Sequence, residues 1–161
     1  MKTAVVYYTM SGNTKLIAEK VAEAVNADLI EISPKNTYPD KGFRKFFWGG
    51  KSAVMGDKPE LLPYEFLPDK YDTVVFGTPV WASTFTPPIR TFIEENKAVL
   101  SDKDIAVFMC QSGAGGDKAI IKLKKILERD TLKAQLILVD PKDKPNSEND
   151  GRIEEFCKAL Q

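Results

Sequence analysis

The sequence predicts an α/β fold in which helices cover both faces of a parallel sheet. Three observations carry this reading. Short apolar runs alternate with segments of helical period five times along the chain. The runs are apolar throughout rather than alternating with polar residues, which fits strands buried on both faces. A length of 161 residues, with 43% hydrophobic and 29% charged residues, suits one globular domain spanning 1–161.

Taken in order, Ala4 to Tyr8 is a β-branched and aromatic run, the first strand. After the loop Thr9 to Thr14, Leu16, Ile17, Val21 and Val25 fall on one face of a helix. Leu29 to Ile32 is the second strand and Thr73 to Phe76 the third. Pro87-Pro88 opens the next helix, where proline's missing N–H does no harm, and Ile89, Phe92 and Ile93 give its apolar face. Ile105 to Met109 is the fourth strand, and Ile120, Ile121, Leu123, Ile126 and Leu127 mark its helix. Leu136 to Val139 is the fifth strand; Ile153, Phe156, Cys157 and Leu160 form a closing helix. Repeated strand–helix units build a parallel sheet, whose ligands bind beyond the carboxyl ends of the strands.

Composition removes several function classes. Lysine plus arginine balances aspartate plus glutamate, 23 against 23, so no nucleic-acid partner is expected. No apolar run approaches the roughly 18–20 residues of a membrane span. The N-terminal apolar run is too short for a signal peptide and ends in Thr9 and Ser11. Two cysteines, Cys110 and Cys157, make no disulfide framework, and a reducing cytoplasm is the expected compartment. There is no histidine, which excludes Ser-His-Asp and Cys-His catalysis and histidine zinc sites; no metal site is expected. No catalytic side chain is assigned, and any chemistry falls to a cofactor.

The stretch from Ser33 to Asp72 is longer than a crossover needs. It holds Phe43, Phe46 and Phe47 at helical spacing, followed by Trp48-Gly49-Gly50. Between Lys35 and Lys58 it carries six basic residues against two acids. A helix packing its phenylalanines on the sheet beneath a basic face is one reading. A flap over the ligand site, or a docking surface for an acidic partner, is the other.

The strongest signal is Thr9-Met10-Ser11-Gly12-Asn13-Thr14, between the first strand and the first helix. A strand-to-helix turn presents unpaired N–H groups at the positive end of the helix dipole. Hydroxyls of Thr9, Ser11 and Thr14 add donors, and Gly12 admits a close backbone approach. A phosphate is the expected guest; a plain helix cap by Ser11 or Asn13 is the alternative. Neither the P-loop string nor the dinucleotide fingerprint occurs in this turn. The strand ends Thr9 and Gly77-Thr78 lack the acids a magnesium-binding receiver domain needs. A cysteine phosphatase needs an arginine six positions after its nucleophile, and six after Cys110 is Gly116. Cys110 reads instead as a small buried apolar residue.

Thr9-x-Ser11-Gly12-x-Thr14 after the first strand resembles the FMN-phosphate loop of the flavodoxins, and the likeness extends over nearly the whole chain. Gly77-Thr78-Pro79-Val80-Trp81 follows the third strand, where flavodoxin-like proteins place an aromatic beside the flavin ring. Gln111-Ser112-Gly113-Ala114-Gly115-Gly116 follows the fourth, where the family's second flavin loop lies. The resemblance implies a three-layer α/β/α sandwich with five parallel strands in the order 2-1-3-4-5, and FMN as cofactor. It implies FMN contacts from Thr9, Met10, Ser11, Gly12, Asn13 and Thr14; from Thr78, Pro79, Val80, Trp81 and Ala82; and from Gln111, Ser112, Gly113, Gly115 and Gly116. It implies electron transfer between partner proteins. The alternative is an FMN-dependent oxidoreductase that takes hydride from a nicotinamide nucleotide and reduces a quinone-like acceptor.

Three expectations about the cofactor follow. The phosphate should be held by neutral donors, with Lys15 directed away along the helix. The two ring loops contain no acid, so little charge repulsion should separate the flavin's two one-electron steps. Ala82 stands where the family often has glycine, and should oppose a positive φ there.

Overall fold

A computed structural model of the chain describes residues 1–38 and 50–161. Its strands are β1 (Thr3–Tyr7), β2 (Asp28–Glu31), β3 (Thr73–Trp81), β4 (Thr84–Phe85), β5 (Asp104–Gln111) and β6 (Ala134–Val139). Its helices are α1 (Asn13–Val25), α2, described over residues 50–55, α3 (Pro87–Leu100), α4 (Gly116–Ile126) and α5 (Ser147–Leu160). The expected helix with Phe43, Phe46, Phe47 and Trp48 lies outside the described residues.

The five parallel strands run in the order β2-β1-β3-β5-β6, the expected arrangement once β4 is set aside. Strand alternation sorts the core into two layers. Ala4, Val6 and Tyr8 point with Phe76, Val107 and Met109 toward Phe92, Ile93 and Leu123 of α3 and α4. Val5 and Tyr7 point with Phe108 and Leu138 toward Ile17, Val21 and Phe156 of α1 and α5. Each inner strand is thus buried on both faces, which is why its sequence is apolar throughout. Helices on the two faces complete the three-layer α/β/α sandwich.

One element was not expected. β3 continues five residues past Phe76 to Trp81, turns over Ala82-Ser83, and pairs back as β4, with Trp81 opposite Thr84. Both turn residues have positive φ, 50° and 57°, the signature of a type I′ hairpin. That turn favours Asn-Gly, so Ala-Ser hides it from a sequence reading. The expectation that Ala82 would resist positive φ is therefore corrected: the hairpin imposes that conformation.

Strand order reverses between β1 and β3, so the loops at their carboxyl ends open a crevice. Beyond β2, the described part of the long connection is tied down by Lys35 N–H to the Glu60 carbonyl and Leu62 N–H to the Ser33 carbonyl. Among the described residues, no helix is long and apolar enough to cross a membrane.

Candidate functional site

The crevice at the reversal point is a cleft of about 220 Å³. From the first loop, Met10, Ser11, Asn13 and Thr14 line it; from the β3–β4 hairpin, Pro79, Val80, Trp81 and Ala82; from the loop after β5, Ser112 and Gly113. All three loops singled out in the sequence therefore meet at one place. Thr9, Gly12, Thr78, Gln111, Gly115 and Gly116 do not line the cleft. They shape the loops that do.

Thr9 performs the capping expected of Ser11 or Asn13. Its hydroxyl oxygen accepts from the Gly12 N–H (3.1 Å) and the Lys15 N–H (3.4 Å). Gly12 holds the N-cap position at φ 93°, with no side-chain cap bond of its own. The first turn of α1 carries no acid of its own; the nearby carboxylate is Asp143, which bonds the Asn13 side chain. Thr14 is buried in this turn, at 1% exposure, and its hydroxyl has no hydrogen-bond partner of good geometry. The Cys110 thiol is its polar neighbour. A buried hydroxyl without a partner destabilises a fold by roughly 1–3 kcal/mol, and here it lines a cleft. That orphaned donor, beside free helix-terminal amides, fits a bound anion.

The hairpin wall is held from below. Thr78 Oγ1 accepts from the Thr86 N–H at 3.1 Å, and the two threonine hydroxyls lie 3.0 Å apart. Lys122 of α4 donates to Thr84 Oγ1 at 2.7 Å. Trp81 packs edge-on against Tyr8 (5.8 Å between centroids) and Tyr38 (5.2 Å), contacts worth roughly 0.5–1.5 kcal/mol each. Its ring is thereby fixed where it lines the cleft. Gln111 staples the opposite wall: its Oε1 accepts from the Gly116 N–H (2.8 Å) and its Nε2 donates to the Gly113 carbonyl (3.0 Å).

Gly50, from the long stretch for which a flap over the ligand site was one reading, also lines the cleft, and three further lining residues were not anticipated: Cys110, Ala114 and Asp140. Cys110 is buried as expected, at 6% exposure, and burial pushes its thiol up to about 12. Ala114 sits inside a loop already singled out. Asp140 follows β6, a carboxyl end of a parallel strand, and that position was its only sequence signal. The two ring loops are free of acids, so Asp140 brings a carboxylate to the cleft from a third place, and Lys144 pairs with it at 3.0 Å. Lys15 is exposed. A different cation reaches the first loop: Lys142 Nζ donates to the Ser11 carbonyl at 3.0 Å.

A family model described as Flavodoxin matches residues 2–146. The chain belongs to the flavodoxin family. Solved flavodoxin-like structures share its fold. A flavoprotein from Lactobacillus acidophilus NCFM, in complex with FMN, is 22% identical with a TM-score of 0.73, covering 94% of this chain and 97% of that one. A flavoprotein from Bacteroides eggerthii is 23% identical with a TM-score of 0.76, covering 99% and 97%. Two-electron reduced flavodoxin from Megasphaera elsdenii is 17% identical with a TM-score of 0.61, covering 98% and 96%. Within the flavodoxin frame, the hydroxyl loop, the Trp81 hairpin and the 111–116 loop occupy the three carboxyl-end positions around the strand reversal.

Proposed function

We propose that this flavodoxin-family protein holds FMN in the cleft and carries electrons between partner proteins. One observation carries the reading. The cleft joins an anion-seeking loop, with its unpartnered Thr14 hydroxyl, to walls made of Trp81, Met10 and loop backbone. FMN is the cofactor that family membership assigns to such a cleft, and when bound it supplies one- and two-electron redox chemistry. The amides of the α1 terminus and the hydroxyls of Ser11 and Thr14 would hold its phosphate. Trp81 would flank its ring and exclude water, and the backbone of 112–114 would meet its edge. The titratable side chains that line the cleft are poorly suited to substrate acid–base work. Cys110 keeps its proton, and Asp140 is paired with Lys144. Electron exchange asks nothing further of them. Free, buried thiols at Cys110 and Cys157 suit a reducing cytoplasm.

A second reading, an FMN-dependent reductase using a nicotinamide nucleotide, is favoured by Arg90. Its guanidinium lies outside the cleft lining, 4.8 Å over the Phe85 ring and half-buried, feels the Glu94 charge, and makes no ion pair or hydrogen bond among the described residues. A nucleotide phosphate is one partner that would satisfy it.

Both readings are tested on purified protein. Heat should release FMN in equal amount to the chain, and FAD or a colourless protein indifferent to FMN would sink the proposal. Steady-state oxidation of NADH and NADPH, with and without a quinone, then separates the two. Slow oxidation unchanged by quinone supports the carrier, and rapid quinone-dependent turnover supports the reductase.

A further inference from the structure

We propose that Lys142 is a positioning residue that gives the hydroxyl loop its preference for a phosphomonoester, supplying a positive charge from outside the loop. This rests on the FMN reading and goes beyond it, because Lys142 lies 128 positions past Thr14 and belongs to none of the three expected loops.

The tertiary structure brings it there through Asn13. The buried Asn13 side chain accepts from the Lys142 backbone N–H at its Oδ1 (2.8 Å) and donates from its Nδ2 to Asp143 (2.8 Å). The strand β6 thus ends in a strap, residues 140–144, tied down at two points on the start of α1. From this strap the Lys142 side chain lies across Gly12, where an added Cβ would come within 3.3 Å of its Nζ. The glycine at position 12 consequently does two things: it adopts φ 93° and it makes room for the lysine.

The ammonium is not neutralised in place. Asp140 pairs with Lys144 (3.0 Å), and Asp143 bonds the neutral Asn13 amide rather than Lys142, keeping its own charge beside the start of α1. Among the described residues Lys142 makes no ion pair, and its one hydrogen bond goes to the neutral Ser11 carbonyl. An ammonium has three N–H donors, so others remain. No acid in the first turn of α1 offsets this charge. The Thr14 hydroxyl, buried in a residue that lines the cleft and with only the Cys110 thiol as a polar neighbour, is the independent sign that an anion belongs there. A helix terminus plus a cation that makes no ion pair favours a dianion over a neutral ligand, with Asp143 opposing part of that preference.

The experiment compares wild type, Lys142→Gln and Lys142→Arg as apoproteins binding FMN and riboflavin. Titrations run at about 20 and about 500 mM NaCl, where surface charge is felt and then screened, and at a pH of about 8, where a phosphomonoester is a dianion. Glutamine can still donate to the Ser11 carbonyl, so this variant removes charge while keeping the tether. Expected is an FMN affinity about tenfold weaker at low salt for Lys142→Gln, a flatter salt dependence, unchanged riboflavin binding, and recovery in Lys142→Arg. Inorganic phosphate is tested in parallel by the rise in Tm it produces, which Lys142→Gln should lose. Equal losses for FMN and riboflavin would reduce Lys142 to a tether, and wild-type FMN affinity with wild-type salt dependence in Lys142→Gln would overturn the proposal outright. Should wild type bind neither flavin, the FMN reading fails by itself. The phosphate arm then still decides Lys142, since an equal rise in Tm with and without the lysine refutes its role.

Discussion

Gly115 and Ser83 meet beside the cleft so closely that a Cβ on the glycine would lie 2.7 Å from the Ser83 Oγ and 3.0 Å from its Cα. Gly115 also sits at φ 106°, where a side chain is strained. The contact locks the hairpin against the loop after β5, and so sets the distance between two walls of the site. Gly115→Ala should be doubly unfavourable, from the backbone conformation (about 1–2 kcal/mol) and from overpacking against Ser83 (about 1–3 kcal/mol). Urea unfolding should show a loss of at least about 2 kcal/mol, and FMN titration a weaker complex. A variant of unchanged stability would mean the two walls move independently.

Ala82 lies in the same hairpin at φ 50°. Because the turn already holds alanine in the left-handed region, glycine there should relax the fold. Ala82→Gly is expected to raise stability by about 1 kcal/mol, the left-handed penalty less glycine's larger chain entropy. Thermal unfolding of the apoprotein checks this. A fall in Tm would show that alanine's methyl makes a contact worth more than the strain.

For Thr14 the two measurable effects have opposite signs. Thr14→Val keeps the shape and removes a buried hydroxyl whose one polar neighbour is the Cys110 thiol, without a hydrogen bond of good geometry. The apoprotein should gain about 1 kcal/mol, whereas FMN, losing a hydrogen bond to a charged group of roughly 1.5–3 kcal/mol, should bind about tenfold or more weakly. Riboflavin binding should hardly change. Ser11→Ala should share the effect on FMN without the stability gain, because Ser11 is exposed. Apoprotein destabilised by Thr14→Val would place the hydroxyl in a bond that matters to the fold.

Cys110 makes alkaline stability a test of burial. Its thiol is raised from 9.0 to about 12, chiefly by desolvation, so the folded chain keeps a proton that the unfolded chain releases. Its contribution is complete below about pH 9 and declines as pH rises toward 12, by up to about 1.4 kcal/mol per pH unit. Tyr7 and Tyr8, also raised by burial, add a decline of the same sign from about pH 10 upward. Comparison with Cys110→Ala isolates the cysteine: its urea midpoint should fall less steeply than wild type between about pH 8.5 and 10. Parallel slopes would show that solvent reaches the thiol.

Much of this molecule was legible along the chain because the relevant physics is local. Buried parallel strands must be apolar on both faces, so Ala4 to Tyr8 and Ile105 to Met109 stood out as strands from their composition. A strand-to-helix turn that carries three hydroxyls and a glycine has few uses besides an anion, so the 9–14 loop identified one wall of the cleft, and the turns at 77–81 and 111–116 identified the others. The rest depended on juxtaposition, which no local pattern encodes. Ala82-Ser83 is a type I′ turn made of residues that do not favour one, held by the Thr78–Thr86 clamp and the Lys122 bond to Thr84. Asn13 reads locally as a cap or a ligand contact, yet its amide ties down a strap that begins at Asp140. Through that strap a neutral loop acquires the charge of Lys142. Secondary structure follows from neighbours in sequence, whereas the electrostatics of a cleft follow from neighbours in space, and packing α1 and α5 on one face of the sheet is what made residues 13 and 142 neighbours.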